Sequence, residues 1–173
     1  GNGPLVDVLQ EALARNEIEH SGIKKGDALK KAKAFIQAIH HFRDDALSVT
    51  TPPIEKVVVF DEAQRAWTLE QTSNFMKSKK GISNFNQSEP NFLISIMDRH
   101  QDWATIICLV GGGQEINKGE AGLPEWFAAL RTNYPDWDVY VSPEISQEEY
   151  TRGEQIQQMV VGLNVTYIND LHL

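Results

Sequence analysis

Apolar positions recur at helical spacing through the first fifty residues, then give way to short uninterrupted runs. Asn2, Gly3 and Pro4 precede Leu5, Val6, Leu9 and Leu13, which is a cap, a first-turn proline and an amphipathic row. This spacing predicts a helix over about residues 4–16. Leu29, Ala32, Ile36, Ile39 and Arg43 form the next helical row, with Lys24, Lys25, Lys30 and Lys31 mainly off it. A second, longer helix with a basic outer face is expected there. The stretch "TTPP", Thr50 to Pro53, ends it, because proline has no amide hydrogen and pushes its predecessor out of helical geometry. Lys56 to Phe60 then reads as a strand, and its continuous apolar run fits a parallel strand covered on both faces.

Past Gln64, Leu69, Phe75 and Met76 mark a helix over about residues 69–77, and "KSKKGISNFNQS" reads as a basic, polar loop. Ser88, Glu89 and Pro90 open a helix with Phe92, Leu93, Ile96 and Met97 inward. The apolar run "TIICLV" is a second strand that ends in three glycines. A helix near Pro124 to Thr132, a strand at Asp138 to Ser142, a short helix opened by Ser146 with Glu149 as its capping box, and a strand-like "NVTYINDLHL" complete the chain. Helices separating short apolar strands define an α/β protein with a mostly parallel sheet. Three or four strands are few for a complete doubly wound sheet.

Composition narrows the class. A chain of 173 residues fits one domain, and 41% hydrophobic with 23% charged residues is an ordinary globular balance. No apolar run approaches the roughly 18 residues of a membrane span, and "GNGPLVDVLQEALARN" lacks the basic start of a signal peptide. Cys108 is the single cysteine, so an internal disulfide is excluded; its setting in "ATIICLVGGG" reads as a buried strand thiol in a reducing, cytoplasmic compartment. Sixteen basic against 24 acidic residues give a net charge of -8, so any nucleic-acid contact must be local. Lys77, Lys79 and Lys80 make the best basic patch and read as a solvated loop. The five histidines show no metal-ligand spacing, no serine sits in a nucleophile motif, and Trp67, Trp103, Trp126 and Trp137 read as packing residues.

Ligands of open parallel sheets bind beyond the carboxyl ends of the strands, which directs attention to two stretches. The first is Asp61-Glu62-Ala63-Gln64, where Asp61 is a candidate Mg²⁺ ligand and Glu62 a candidate acceptor for the proton of an attacking water. The second is Gly111-Gly112-Gly113-Gln114, where the glycines permit close backbone approach and Gln114 offers a donor and an acceptor. Each alone has a plainer reading, a capped turn for the first and a flexible turn for the second. Lys118 follows Asn117 and precedes Gly119, so this is not a phosphate-binding loop of the form G-x-x-x-x-G-K-[ST]. Two such strand ends about 50 residues apart nevertheless form the arrangement of a nucleoside triphosphatase core, one supplying metal ligand and base, the other a polar sensor.

On "GNGPLVDVLQEALAR", "VVVFDEAQRAW", "SEPNFLISIMDRHQDWATIICLVGGGQEINKGEAGLPEW", "DVYVSPE" and "DLHL", the chain resembles the ATPase core of superfamily 1 helicases, and more closely the Schlafen group 3-like DNA/RNA helicase domain family. The resemblance spans nearly the whole chain. It implies a RecA-like P-loop NTPase fold, three-layered with a mostly parallel sheet, that uses ATP and Mg²⁺ and acts on DNA or RNA. By the same resemblance Asp61 binds Mg²⁺, Glu62 polarises the attacking water, Gln64 links this site to neighbouring motifs, and Gln114, beside Gly113, senses the γ-phosphate; "GNGPL" looks like the helicase Ia region, where nucleic-acid contacts often lie. Family members carry a strand and phosphate loop upstream of such a "GNGPL" and arginine-bearing motifs downstream of such a "DLHL", and neither is in this sequence. Residues 1–173 are therefore expected to form one partial RecA-like domain, an internal segment with negligible ATPase activity alone. Its second and third strands, "TIICLV" and "DVYVS", are expected to be left with a gap between them or an abnormal pairing. A nucleotide-dependent switch and a nonenzymatic interaction domain that keeps only the fold are the rival readings.

Overall fold

The computed structural model describes residues 3–36, 39–111, 120–146 and 155–172. Within the first fifty residues, α1 (Gly3–Ser21) and α2 (Lys25–Phe35) form a helical hairpin followed by α3 (Ile39–Ser48). The hairpin closes on small side chains. Ala14, Ala28 and Ala32 are buried together, with Ile18, Ile23 and Leu29 packed around them. Gly22 at φ 64 ends α1 and donates its amide to Ile18 O at 2.9 Å, a left-handed conformation that glycine adopts at no steric cost. Lys25 and Lys31 reach across to Glu11 and Glu17 at 2.8 and 2.9 Å, and both carboxyls are held below the usual glutamate range by these lysines.

Two sequence expectations are corrected here. The first helix runs on to Ser21. The single longer helix is two, because Ile36 leaves helical geometry (φ -117, ψ 111) and α2 ends at Phe35. Gln10 Nε2 donates to the Ile36 carbonyl at 2.6 Å, satisfying a group that the break exposes.

Residues 51–173 form a second unit. Its strands are β1 (Val57–Phe60), β2 (Thr105–Cys108), β3 (Asp138–Val141) and β4 (Asn164–Tyr167), and its helices α4 (Leu69–Lys80), α5 (Glu89–Met97), α6 (Gly122–Asn133) and α7 (Ile156–Met159). The α/β class is thus observed, with both ladders among the described residues parallel and a single antiparallel bridge between Trp67 and Glu120. β1 pairs with β2, Val57 opposite Thr105 through Phe60 opposite Cys108; β3 pairs with β4, Asp138 opposite Asn164 through Val141 opposite Tyr167. Among the described residues the strands stay in these two separate pairs, with no ladder from β2 to β3.

The core of this unit is built on α5, where Leu93, Ile94, Ile96 and Met97 are almost fully buried, each contributing about 1.5–3 kcal/mol of transfer free energy. Ser88 caps the helix, accepting the Asn91 amide at 3.4 Å, as its sequence predicts. α5 packs on α6, and α6 on α7 and on the turn that follows β1.

Three further expectations are revised. β1 and β2 are not covered on both faces: Val57, Val59 and Ile107 are 47%, 56% and 42% exposed on one face, while Phe60 is buried on the other. The basic segment "KSKK" is helical, because α4 continues to Lys80 before Gly81 ends it. The last strand stops at Tyr167, and Asn169–Leu171 form a 3-10 turn. Ser146 lies in the 3-10 turn Pro143–Ser146, and Glu149 lies outside the described residues.

Candidate nucleotide-hydrolysis site

The two carboxylates after β1 project because the backbone around them is clamped. Leu109, just past β2, uses both of its main-chain groups on β1: its amide donates to Phe60 O and its carbonyl accepts from the Ala63 amide, each at 2.9 Å. Asp61 and Glu62 are the two residues between those bonds, so they loop outward from the sheet edge. Glu62 takes the left-handed conformation (φ 54, ψ 42), the one non-glycine with positive φ among the described residues. A left-handed non-glycine costs on the order of 1–3 kcal/mol and persists only where its surroundings impose it.

The surroundings are a short 3-10 turn, Ala63–Arg65, which together with Ala66 and Trp67 is tied to α5, to α6 and to the residue that precedes α6. The buried Trp126 of α6 donates its indole N–H to Ala63 O at 2.8 Å. The Ala121 amide donates to Ala66 O at 2.6 Å. At the start of α5, the buried Glu89 accepts the Trp67 amide on its carboxylate at 3.0 Å, while its own amide donates to Trp67 O at 3.0 Å. Phe60 and Trp126 also stack with ring centroids 5.9 Å apart.

Within this frame the structure brings Asp61, Glu62 and Gln64 together. Asp61 is exposed, and its Oδ1 accepts the Glu62 amide at 3.0 Å. Glu62 Oε2 accepts from Gln64 Nε2 at 2.7 Å and faces Arg65 Nε at 3.3 Å. Gln64 is 4% exposed, and its Oε1 is buried with no hydrogen-bond partner among the described residues. Gln114 and Gly113 lie outside the described residues, although β2 carries the chain alongside β1 as far as Leu109, two residues before the first glycine of that run.

The donor set bears on whether Mg²⁺ fits. No group of three His, Cys, Asp or Glu side chains able to cage an ion exists among the described residues. One exposed aspartate is compatible with Mg²⁺ held through water and substrate phosphates, the common mode for this ion. It does not make a dedicated protein cage.

Sequence reasoning missed the supports of this loop. Trp126 and Glu89 were legible only as a packing residue and a helix opener, and Leu109 as one more apolar strand residue. Their signal is positional, since each acts through a group whose partner is distant in sequence. Cys108 lies in β2 as expected but is only half-buried, and desolvation still pushes its thiol up to about 12, far from a nucleophile's range.

Short parallel strands, intervening helices and a carboxylate turn at a strand end define a mixed α/β protein with a candidate ligand edge. The family model described as Schlafen group 3, DNA/RNA helicase domain matches residues 1–169, and the chain belongs to this family. Comparison with curated proteins and with solved structures gives no match. The helicase-domain family points to helicase-like function, to nucleic acid as partner, and to nucleotide and Mg²⁺ use in general. No described helix is long and apolar enough to cross a membrane.

Proposed function

We propose that this chain is the hydrolysis half of a RecA-like ATPase domain in an ATP-dependent DNA or RNA helicase or translocase. The observation that carries the reading is the Leu109 clamp, which extrudes Asp61 and Glu62 from a parallel strand end and holds Glu62 in a strained conformation. Asp61 is the residue to hold Mg²⁺, which would neutralise developing phosphate charge. Glu62 takes the proton of the attacking water, a role worth about 10²–10⁴-fold in rate. Gln64 positions Glu62 through its 2.7 Å bond. Gln114, beside Gly113, is assigned the γ-phosphate sensor by resemblance.

The separation of β1–β2 from β3–β4 supports the same reading, since a RecA-like sheet places its phosphate-loop strand between the sensor strand and the next one. On this proposal residues 1–173 are one partial ATPase domain and by themselves hydrolyse ATP negligibly, because phosphate-cradling amides and the loop lysine are not among them. Phosphate release by the isolated 173-residue chain is the direct check, with activity above a Glu62→Gln version of the same chain contradicting it. In the full-length protein, Glu62→Gln abolishes hydrolysis while ATP binding persists; unchanged turnover would defeat the assignment. Strand displacement driven by ATP separates the motor from a nucleotide switch.

A further inference from the structure

We infer that the C-terminal end of α4 and the segment that joins it to α5 form a contact surface for the phosphodiester backbone of nucleic acid. This rests on the reading of the chain as part of a nucleic-acid motor and adds where the strand is held. Residues 51–173 carry 9 basic and 17 acidic side chains, a field that repels a polyanion over most of the unit. Residues 71–88 are the exception, with Lys77, Lys79 and Lys80 and no acid in eighteen positions. Their remaining polar side chains are serine, threonine, asparagine and glutamine, the neutral partners that contact phosphate and sugar oxygens.

The structure turns that composition into a fixed surface. The three lysines stand exposed on the last turn of a helix. Gly81 (φ 72, ψ 13) ends the helix, and both its amide and that of Ile82, at 3.0 Å, donate to Met76 O. Beyond it, Phe85 packs edge-on against Phe92 of α5 at 5.1 Å, and Ser88 caps α5. The connector is therefore pinned at its start, middle and end, while Ser83, Asn84 and Asn86 remain exposed between the pins. A surface ordered in advance loses less entropy on binding. The chain enters α4 from the hydrolysis loop through Trp67 and the N-cap Thr68, and the Trp67 ring lies 5.1 Å from Phe75 in the middle of the helix, so the carboxylate turn precedes the start of a helix about 18 Å long whose last turn carries the proposed contact.

Lysines in a last helical turn also offset the helix dipole, worth about 0.3–1 kcal/mol, so the test must separate binding from stability. A fluorescein-labelled 20-nucleotide oligo(dT) is titrated with the 173-residue chain, followed by anisotropy across salt concentrations. The double variants Lys77→Glu/Lys79→Glu and Lys77→Gln/Lys79→Gln are measured beside it, each checked by thermal melting. Losing two phosphate contacts lowers the slope of log K against log salt by about 1.4, and weakens binding roughly ten- to thirtyfold at 0.1 M salt. The glutamine variant should show this with an unchanged melt. Glu62→Gln should bind as the parent does, so failure of the hydrolysis reading and failure of this one are distinguishable. Absence of oligonucleotide binding by the parent chain, unchanged slopes in both variants, or equal competition by poly-glutamate of the same charge would each overturn the proposal, the last by showing a site for acidic peptides.

Discussion

Strands β1 and β3 each run four residues, bury their last side chain, and lead into a 3-10 turn beside a glutamate, Glu62 in one case and Glu144 in the other. What holds the two turns is different. The turn after β1 is bonded to Leu109, Trp126, Ala121 and Glu89, residues from three other parts of the unit, and it contains a left-handed glutamate. The end of β3 has the same strand-end bond, the Ile168 amide donating to Val141 O at 2.9 Å, and the turn after it carries local bonds: Ser142 Oγ accepts the Glu144 amide at 3.2 Å, the Ile145 amide donates to Ser142 O at 3.1 Å, and Ser146 Oγ donates to Pro143 O at 2.9 Å. A strand end with a carboxylate is common; one that distant residues hold in a strained shape calls for a functional explanation. That contrast, more than the presence of acids, singles out Asp61 and Glu62.

The contrast can be broken at its supports. Trp126→Ala removes a buried ring and the Ala63 bond together and should lower unfolding free energy by about 3–5 kcal/mol in denaturant titration. Trp126→Phe keeps most of the packing, removes the indole bond and leaves Ala63 O only the longer bond from the Ala66 amide at 3.3 Å, for about 0.5–1.5 kcal/mol from the bond in addition to the area lost with the smaller ring. At the other turn, Ser142→Ala removes an exposed, local bond and should cost under about 1 kcal/mol. If Ser142→Ala costs as much as Trp126→Phe, the two turns are not differently held.

Two pH effects sharpen the comparison on the first strand pair. Burial raises the Cys108 thiol from 9.0 to about 12, so the folded chain binds more protons than the unfolded one between those values. Its contribution to stability is complete below pH 9 and falls as pH rises toward 12; native Cys108 should also alkylate slowly at pH 8. The smallest effect is at the opposite end of the pair, where Lys56 bonds Asp102 and lowers its carboxyl from 3.8 to about 2. That contribution is present above pH 3.8 and is lost as pH falls through about 2; Lys56→Ala should therefore weaken the acid dependence and lower stability slightly at neutral pH, with the smallest change below pH 2, the pair being exposed.

Much of the fold was legible where local chemistry decides it. Ser88, Glu89 and Pro90 open α5 as their types require, and the apolar runs at residues 57–60 and 105–108 are strands. The break at Ile36 was not legible, because an apolar residue continues the helical row whether or not the backbone follows it. The lysines of α4 looked like a loop by polarity, although lysine is a good helix former and Gly81 marks the true end. Continuous apolar strands implied cover on both faces, yet exposure of Val57 and Val59 depends on what packs against them, which the strand itself does not encode. In the site, Asp61, Glu62 and Gln64 were legible as residue types. Glu62's left-handed backbone was not, since nothing in a glutamate favours it and the cause lies at Leu109 and Trp126.

The most direct measurement compares the two strand-end carboxylates in the full-length protein. Steady-state ATP hydrolysis and ATP binding are determined for Glu62→Gln and Glu144→Gln side by side. The expected result is a fall of about 10²-fold or more in turnover for Glu62→Gln with ATP binding retained, and turnover indistinguishable from the parent for Glu144→Gln. Equal turnover in both variants would contradict the assignment of the clamped turn as the hydrolysis site.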